Sequence, residues 1–354
     1  MRRRNLFLLQ FNGRDDNIGD QFIFRALVDA LRPLGTVLIR GGLPSFVEGA
    51  VSVRKSTLPI TTALARLRGC KVYAFNSPGA RYSTKSAQRK RSRLLWLKFL
   101  LFNVLGGSRV AVGNSVMPGG DQSWCLQLEW IGVRDRASLA VLQAAGMERC
   151  EYFPDLAFLP PRPPLSDAPR GKACFSFRQF VPDVRDTSGY GSSLRNAVAG
   201  LASSISQSTD LRPEFFYQVV EDQEFTAALS SETGISLHSD RISLTSFGDY
   251  FASAGIVVSN RLHCLLLGAL CGAVPIALTS RDHTKLVSLF ETVGWESLLL
   301  YLDESPTLAD QLAAICHELP AFRSLVAETF DHHRRLGLDI LERRFGDSPE
   351  RETH

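Results

Sequence analysis

The sequence predicts an α/β protein of two Rossmann-like domains, each built on a parallel sheet. Strand-like and helix-like stretches alternate from end to end, which is the pattern of βαβ units. The alternation breaks once, across residues 159–171, where five prolines and no apolar periodicity mark a linker. A chain of 354 residues also exceeds one ordinary core and suits two domains. The expected division is an N-terminal domain over residues 1–158, the linker over 159–171, a C-terminal domain over 172–325, and a closing helix and polar tail over 326–354.

Each element has its own signal. Residues 5–11 are mostly apolar and follow Met1-Arg2-Arg3-Arg4, which mimics a leader peptide. The apolar stretch is too short for one, and Asn12-Gly13-Arg14-Asp15-Asp16 offers no small-residue cleavage site, so 5–11 reads as the first strand. Helical spacing over 20–31 leads to a strand over 36–40, a helix over 61–68 to a strand over 71–75, and a helix over 86–104 to a short strand over 109–112. A helix over 138–145 ends at Gly146, a good C-terminal cap. Past the linker, strands are predicted over 173–177, 215–220, 235–238, 255–259 and 274–278, alternating with helices over 192–205, 223–230, 246–252 and 264–271. The apolar stretch 262–278 contains His263 and Pro275, and splits into a helix plus a strand. Helices over 284–292, 308–317 and 320–344 finish the chain, the last long enough to pack back on the first domain.

Composition narrows the class. At 45% hydrophobic and 21% charged residues the chain is globular. No window reaches the roughly 18 clean apolar residues of a membrane-spanning helix. Seven scattered cysteines, with no CxxC pair, read as reduced cytosolic thiols rather than a disulfide framework or a zinc site. No metal cluster is visible, and the pair His332-His333, on a charged late helix, reads as solvated. Net charge is only +4, yet residues 49–120 contain thirteen Lys and Arg and no Asp or Glu, which calls for an anionic partner. Within 81–104, Arg89, Lys90, Arg91, Arg93 and Lys98 stand beside Leu94, Leu95, Trp96, Leu97 and Phe99. This is the composition of an interfacial helix on an anionic membrane, and equally of an amphipathic helix facing a core. No nucleic-acid recognition motif is present, and no nucleic-acid partner is expected.

The residues able to do chemistry gather at strand ends, where open parallel sheets bind ligands. The run Ile256-Val257-Val258-Ser259-Asn260 ends a strand, and Arg261 and His263 follow at the mouth of an apolar helix. A guanidinium, an imidazole and a helix N-terminus make an anion site; a cap and a core histidine would use the same residues. Arg178 ends Ala173-Cys174-Phe175-Ser176-Phe177 on the same edge, and with Arg261 could hold a dianion. Glu221-Asp222 follow the next strand, and Ser280-Arg281-Asp282-His283-Thr284-Lys285 follow strand 274–278. In the first domain the turn from Asn12 to Asp20 lies where a Rossmann fold holds phosphate, but it lacks GxGxxG and its three aspartates would repel phosphate. That turn suits a sugar hydroxyl or a proton acceptor, or Asn17 or Asp20 caps the helix. Arg134-Asp135 with Ser138 reads as an ion pair and N-cap, and Asp155 as a turn residue or a cleft residue.

Asn17-Ile18-Gly19-Asp20, Val133-Arg134-Asp135 with Ser138 and Gly146, Pro154-Asp155-Leu156-Ala157-Phe158, Phe175-Ser176-Phe177-Arg178, and Asn260-Arg261-Leu262-His263 with Gly268-Ala269 and Pro275 occur in one order. That order resembles the polysaccharide pyruvyl transferases, over a span from Asn17 to Lys285. The resemblance implies a GT-B-like fold with parallel sheets facing a cleft. It implies transfer of the pyruvyl group of phosphoenolpyruvate onto sugar hydroxyls as a ketal, on a bacterial-type exopolysaccharide or its lipid-linked oligosaccharide precursor. Arg178, Arg261, His263 and Lys285 are the expected phosphoenolpyruvate contacts. His263 is the expected acid, or a donor to the phosphate that eases its departure, and Asp20 the expected base, with Asn17, Gly19, Asp20, Asp135 and Asp155 on the acceptor side. No cofactor or metal is expected beyond phosphoenolpyruvate as co-substrate. The expected location is cytoplasmic, with peripheral contact at the inner membrane face as one reading of residues 81–104. The loop Gly113-Asn114-Ser115-Val116-Met117-Pro118 departs from the family's glycine-rich loop, and the segment from Ser280 to Lys285 matches loosely; both bear on the acceptor. The alternative is a GT-B glycosyltransferase using a nucleotide sugar, for which Glu221-Asp222 is the candidate ribose contact.

Overall fold

The computed structural model describes residues 5–54, 58–76, 101–116, 125–164, 169–181 and 189–346. They form two compact units. The first comprises Met1–Gly13, Asp20–Pro160 and His333–His354, the second Arg14–Gly19 and Pro161–His332. The basic residues from Arg81 to Lys98, with most of the helix expected over 86–104, lie outside the described residues; 101–104 are helical. No described helix is long and apolar enough to cross a membrane.

The first unit is a seven-stranded parallel sheet in the order β3-β2-β1-β4-β5-β6-β7. Its strands are β1 (Asn5–Leu9), β2 (Gly35–Arg40), β3 (Val51–Val53), β4 (Lys71–Phe75), β5 (Gly107–Asn114), β6 (Trp130–Val133) and β7 (Cys150–Tyr152). β1 pairs with β2 on one side and β4 on the other, so strand order reverses beside it. β5 carries a bulge between Val112 and Asn114. Gly113 sits there at φ 68°, where a side chain would strain the backbone and a Cβ would lie 3.0 Å from Leu156.

The last helix, Leu319–Phe345, belongs to the second unit up to His332 and to the first from His333. Phe345 anchors it: its ring lies 4.8 Å from Tyr73 and 5.6 Å from Phe7, beside Phe75 and Trp130. Glu151 receives both Arg343 and Arg344. His332 is exposed, but His333 is buried, against the expectation of a solvated pair. Its Nδ1 meets the Tyr152 hydroxyl at 3.3 Å, because the inner stripe of the helix carries it onto the sheet.

The second unit is a five-stranded parallel sheet in the order β12-β11-β10-β8-β9. Its strands are β8 (Lys172–Ser176), β9 (Arg212–Phe215), β10 (Ala254–Ser259), β11 (Val274–Thr279) and β12 (Leu299–Tyr301). β10 and β11 are buried at every residue, as strands covered on both faces must be. Chain order reverses between β8 and β10, because β9 lies on the far side of β8. Two expectations fail in this unit. The strand expected over 215–220 is the earlier segment β9, which includes Pro213; as the edge strand it needs no second ladder partner for the missing N–H. The strand expected over 235–238 is a single bridge from Phe215 to Leu237.

Candidate anion-binding site

The reversal point of the second sheet is built by two short exits from neighbouring strands. Ser176 and Ser259, the last residues of β8 and β10, are in register. Ser259 Oγ donates to the Ser176 carbonyl and accepts the Arg261 N–H at 3.0 Å. Asn260, 1% exposed, then ties the exits together. Its Oδ1 accepts the Arg178 N–H at 2.9 Å, its Nδ2 donates to the Arg178 carbonyl at 2.9 Å, and the same Nδ2 reaches the Tyr190 hydroxyl at 3.0 Å. The carboxamide thus stands in for a peptide unit and continues the β8–β10 ladder one step past the sheet. Arg178, half-buried, is held by its backbone at that edge.

Arg261 occupies the N-cap position of the Leu262–Leu270 helix, with extended backbone and no side-chain cap. Its guanidinium turns instead to Asp222, which meets it through Nε and Nη2; the side chains are 7% and 4% exposed. Asp222 ends the 3₁₀ turn Val220–Asp222, brought in from beyond β9. Burial pushes the Asp222 carboxyl above its ordinary value, opposed by the charges of Arg261 and Arg178. Two guanidinium groups therefore act on one carboxylate. The uncapped first turn of the Leu262–Leu270 helix adds the positive end of its dipole. Three strand exits thus bring two arginines and a helix N-terminus to the place where open α/β sheets bind ligands.

His263 lies in the first turn of that helix, packed against Gly19. A Cβ added to Gly19 would fall 2.7 Å from His263 Cβ and 2.8 Å from Nδ1. Two motifs 244 positions apart in the chain thereby meet within the second unit. The loop from Arg14 to Gly19 is pinned there by Arg14 on Glu221 at 2.5 Å and by Arg241 donating to the Asp16 carbonyl at 3.1 Å. Arg14 also holds the Asp16 carboxyl below its ordinary value through a side-chain hydrogen bond, so this aspartate is not the free repulsive charge expected from sequence. Asn17 accepts the Gly19 N–H at 3.0 Å, which is the capping role.

Beside this cluster, a cavity of about 410 Å³ is lined by Tyr190, Ser193, Ser280, Arg281, Asp282 and Asp303, with Arg281 paired to Asp303 at 3.2 Å. Lys285 lies half-buried in the first turn of the Thr284–Val293 helix, next to the β11 exit. His283 is buried, its Nδ1 3.0 Å from Thr279 Oγ1, and so helps hold the β11 exit.

The first-unit candidates are arranged differently. Asp20 is half-buried in the Ile18–Leu31 helix, against the Gly13 turn. Asp135 and Asp155, expected on the acceptor side, are buried at 2% and 1% exposure. Asp135 accepts the Ser138 N–H at 2.7 Å and the Ser115 hydroxyl at 2.8 Å. Asp155 accepts the Ala157 N–H at 3.0 Å and pairs with Arg134 at 2.8 Å. Arg134 Nε donates to Ser115 at 2.7 Å, closing a buried network that fixes the β5 and β6 exits. Sequence reasoning raised the ion-pair and cap reading for Asp135 but paired Arg134 with its neighbour. It missed Tyr190, for which no local signal exists, named Ser115 only as part of a loop that departs from the family's, and noted Asp222 without its partner 39 positions later.

The architecture is of the GT-B type. A pneumococcal O-GlcNAc transferase in complex with UDP and GlcNAc aligns at TM-score 0.67 and 6% identity, over 98% of this chain and 99% of that one. UDP-GlcNAc 2-epimerase from Neisseria meningitidis, bound to UDP-GlcNAc, aligns at 0.56 and 8%, over 96% and 100%. An O-GlcNAc transferase from Thermobaculum terrenum aligns at 0.56 and 14%, over 98% and 68%. Identities this low speak for the fold alone. A comparison with the curated proteins found no match. Within the fold, residues 123–283 match the polysaccharide pyruvyl transferase family. That segment is under half of the chain and contains Arg178, Asp222, Asn260, Arg261 and His263, but neither Asn17-Ile18-Gly19-Asp20 nor Lys285.

Proposed function

We propose that this chain transfers the pyruvyl group of phosphoenolpyruvate to sugar hydroxyls, forming a ketal on a bacterial-type exopolysaccharide or on its lipid-linked oligosaccharide precursor. The observation that carries the reading is the convergence of Arg178, Arg261 and an uncapped helix N-terminus at the reversal point of the second sheet, inside the family match. Phosphoenolpyruvate presents a phosphate and a carboxylate, and two guanidinium forks suit two such groups. In this reading Asp222 is a positioning residue. It occupies Nε and Nη2 of Arg261 and so turns the Nη1 edge to the donor. Arg178 takes the second anionic group, with Lys285 in support.

In the balanced reaction the donor methylene carbon gains a proton, two sugar oxygens bond to C2, and the bond from C2 to the phosphate oxygen breaks. The acceptor's two hydroxyl protons balance one on the new methyl group and one on the departing phosphate. His263 is the acid of this scheme, its imidazole held in place by Gly19. Asp20 is the assigned base for the attacking hydroxyl. The carboxylates and hydroxyls around the cavity beside Tyr190 are groups that bind sugar hydroxyls, and in this reading they supply further acceptor contacts.

The test is incubation with phosphoenolpyruvate and a panel of oligosaccharides, following phosphate release and the ketal methyl signal by proton NMR. The expected result is acceptor-dependent phosphate release with one new methyl group per phosphate. Release of a nucleotide from a nucleotide sugar, with phosphoenolpyruvate untouched, would replace this reading with glycosyl transfer.

A further inference from the structure

The Leu58–Leu67 helix packs its inner face on the first sheet. Thr62 is fully buried, and Ala65 packs into the same core cluster as Leu8, Leu38, Val72 and Phe102. Its outer face is not polar. Ile60, Leu64 and Leu67, spaced four and three apart and so on one side of the helix, are 64%, 48% and 84% exposed. The helical residues 101–104 add Leu101 and Val104, at 52% and 74%. These two helical segments are neighbours. Phe102 shares a core cluster with Ala65, and the Arg66 guanidinium lies so close to Gly106 that a Cβ there would be 2.7 Å from its Nε. Five large aliphatic side chains thus face outward from adjacent helices, where a solvated surface would present polar groups.

The described charges that flank them in the chain are basic. Arg66, Arg68 and Lys71 are exposed at the C-terminal end of the helix, and residues 49–120 contain no acidic side chain. A second copy of the chain would bring the same basic patch against itself in a two-fold contact. Among the described residues, the exposed face also carries no Trp or Tyr, the anchors that dominate protein interfaces. An anionic bilayer matches both features: hydrocarbon receives the aliphatic side chains, and acidic head groups meet the basic ones. We propose that the face formed by Ile60, Leu64, Leu67, Leu101 and Val104 docks this protein on an anionic membrane surface. The proposal does not depend on the pyruvyl-transfer reading, nor on residues 81–100.

The test is flotation of the full chain with vesicles of phosphatidylcholine alone and of an equal mixture with phosphatidylglycerol. The expected result is flotation with the mixed vesicles only, reduced about ten-fold by combining Ile60→Gln, Leu64→Gln and Leu67→Gln. Because those side chains are exposed, the triple variant keeps the wild-type unfolding midpoint. Failure of the wild type to float, or undiminished flotation of the triple variant, would overturn the proposal. A wild-type dimer that the triple variant dissolves, seen by sedimentation equilibrium, would assign the face to a second copy instead.

Discussion

Arg134 with Asp155 in the first unit and Arg261 with Asp222 in the second are both buried ion pairs just past the ends of parallel strands. Their side chains are 6% and 2%, and 7% and 4%, exposed. The difference lies in what surrounds them. Around Arg134 there are two carboxylates, each also fixed by a backbone N–H, from Ser138 and from Ala157. Around Asp222 there are two arginines, and the adjoining helix N-terminus has no side-chain cap. In the first cluster the guanidinium, the Ser115 hydroxyl and two backbone N–H groups are all engaged by the two carboxylates. In the second, Arg178 stands beside the Arg261–Asp222 pair and the helix N-terminus keeps donors without a side-chain cap, a setting that suits an anionic substrate.

The sharpest way to break this comparison is Arg134→Ala. It leaves Asp155 buried without its cation, so stability in urea should fall by about 3–5 kcal/mol while folded molecules keep their phosphoenolpyruvate affinity. Lost affinity at unchanged stability would reverse the roles of the two pairs. Asn260→Ala comes next, since it leaves the Arg178 N–H and carbonyl without their partner. The expected cost is about 1–3 kcal/mol of stability, together with weaker phosphoenolpyruvate binding although Asn260 bears no charge. Full affinity in this variant would show that the clamp does not position Arg178.

Gly19→Ala addresses His263. The new methyl group would collide with His263 Cβ, which is fixed to its helix and cannot swing aside. Turnover should fall about ten-fold, some 1.4 kcal/mol in the barrier, with a much smaller change in phosphoenolpyruvate affinity. Equal turnover would detach His263 from the chemistry. His263→Gln sharpens the point, since full turnover without the imidazole would end its role as acid.

The smallest effect is the pH dependence of Asp222. Its folded-state carboxyl is raised above the ordinary 3.8 by burial. The protonated form therefore contributes stability that is complete below 3.8 and is lost as pH rises through the raised value. Asp222→Asn should flatten that part of the stability curve; an unchanged slope would locate the pH dependence elsewhere.

The frame of the molecule was legible because period and burial agree in most elements. The strand Lys71–Phe75 and the helix Leu308–His317 have the boundaries expected from their sequence. β3, β6, β7 and β12 were not, because runs of three or four residues carry too little alternation to register. The stretch 215–220 misled for another reason. Phe215, Phe216, Tyr217 and Val219 are buried, but past Phe215 they fill the core from an irregular exit rather than from a strand. The pairing of Arg261 with Asp222 and of Gly19 with His263 depends on which loops the sheet order brings together. No local pattern encodes that.

The most direct test of the central claim is calorimetric binding of phosphoenolpyruvate to the wild type and to Arg261→Ala, with UDP-sugars run beside it. The expected result is binding by the wild type, weakened about a hundred-fold or more in the variant, and no binding of UDP-sugars at the same site. Binding of a UDP-sugar alone, or phosphoenolpyruvate binding that survives the loss of Arg261, would contradict the assignment of this site to pyruvyl transfer.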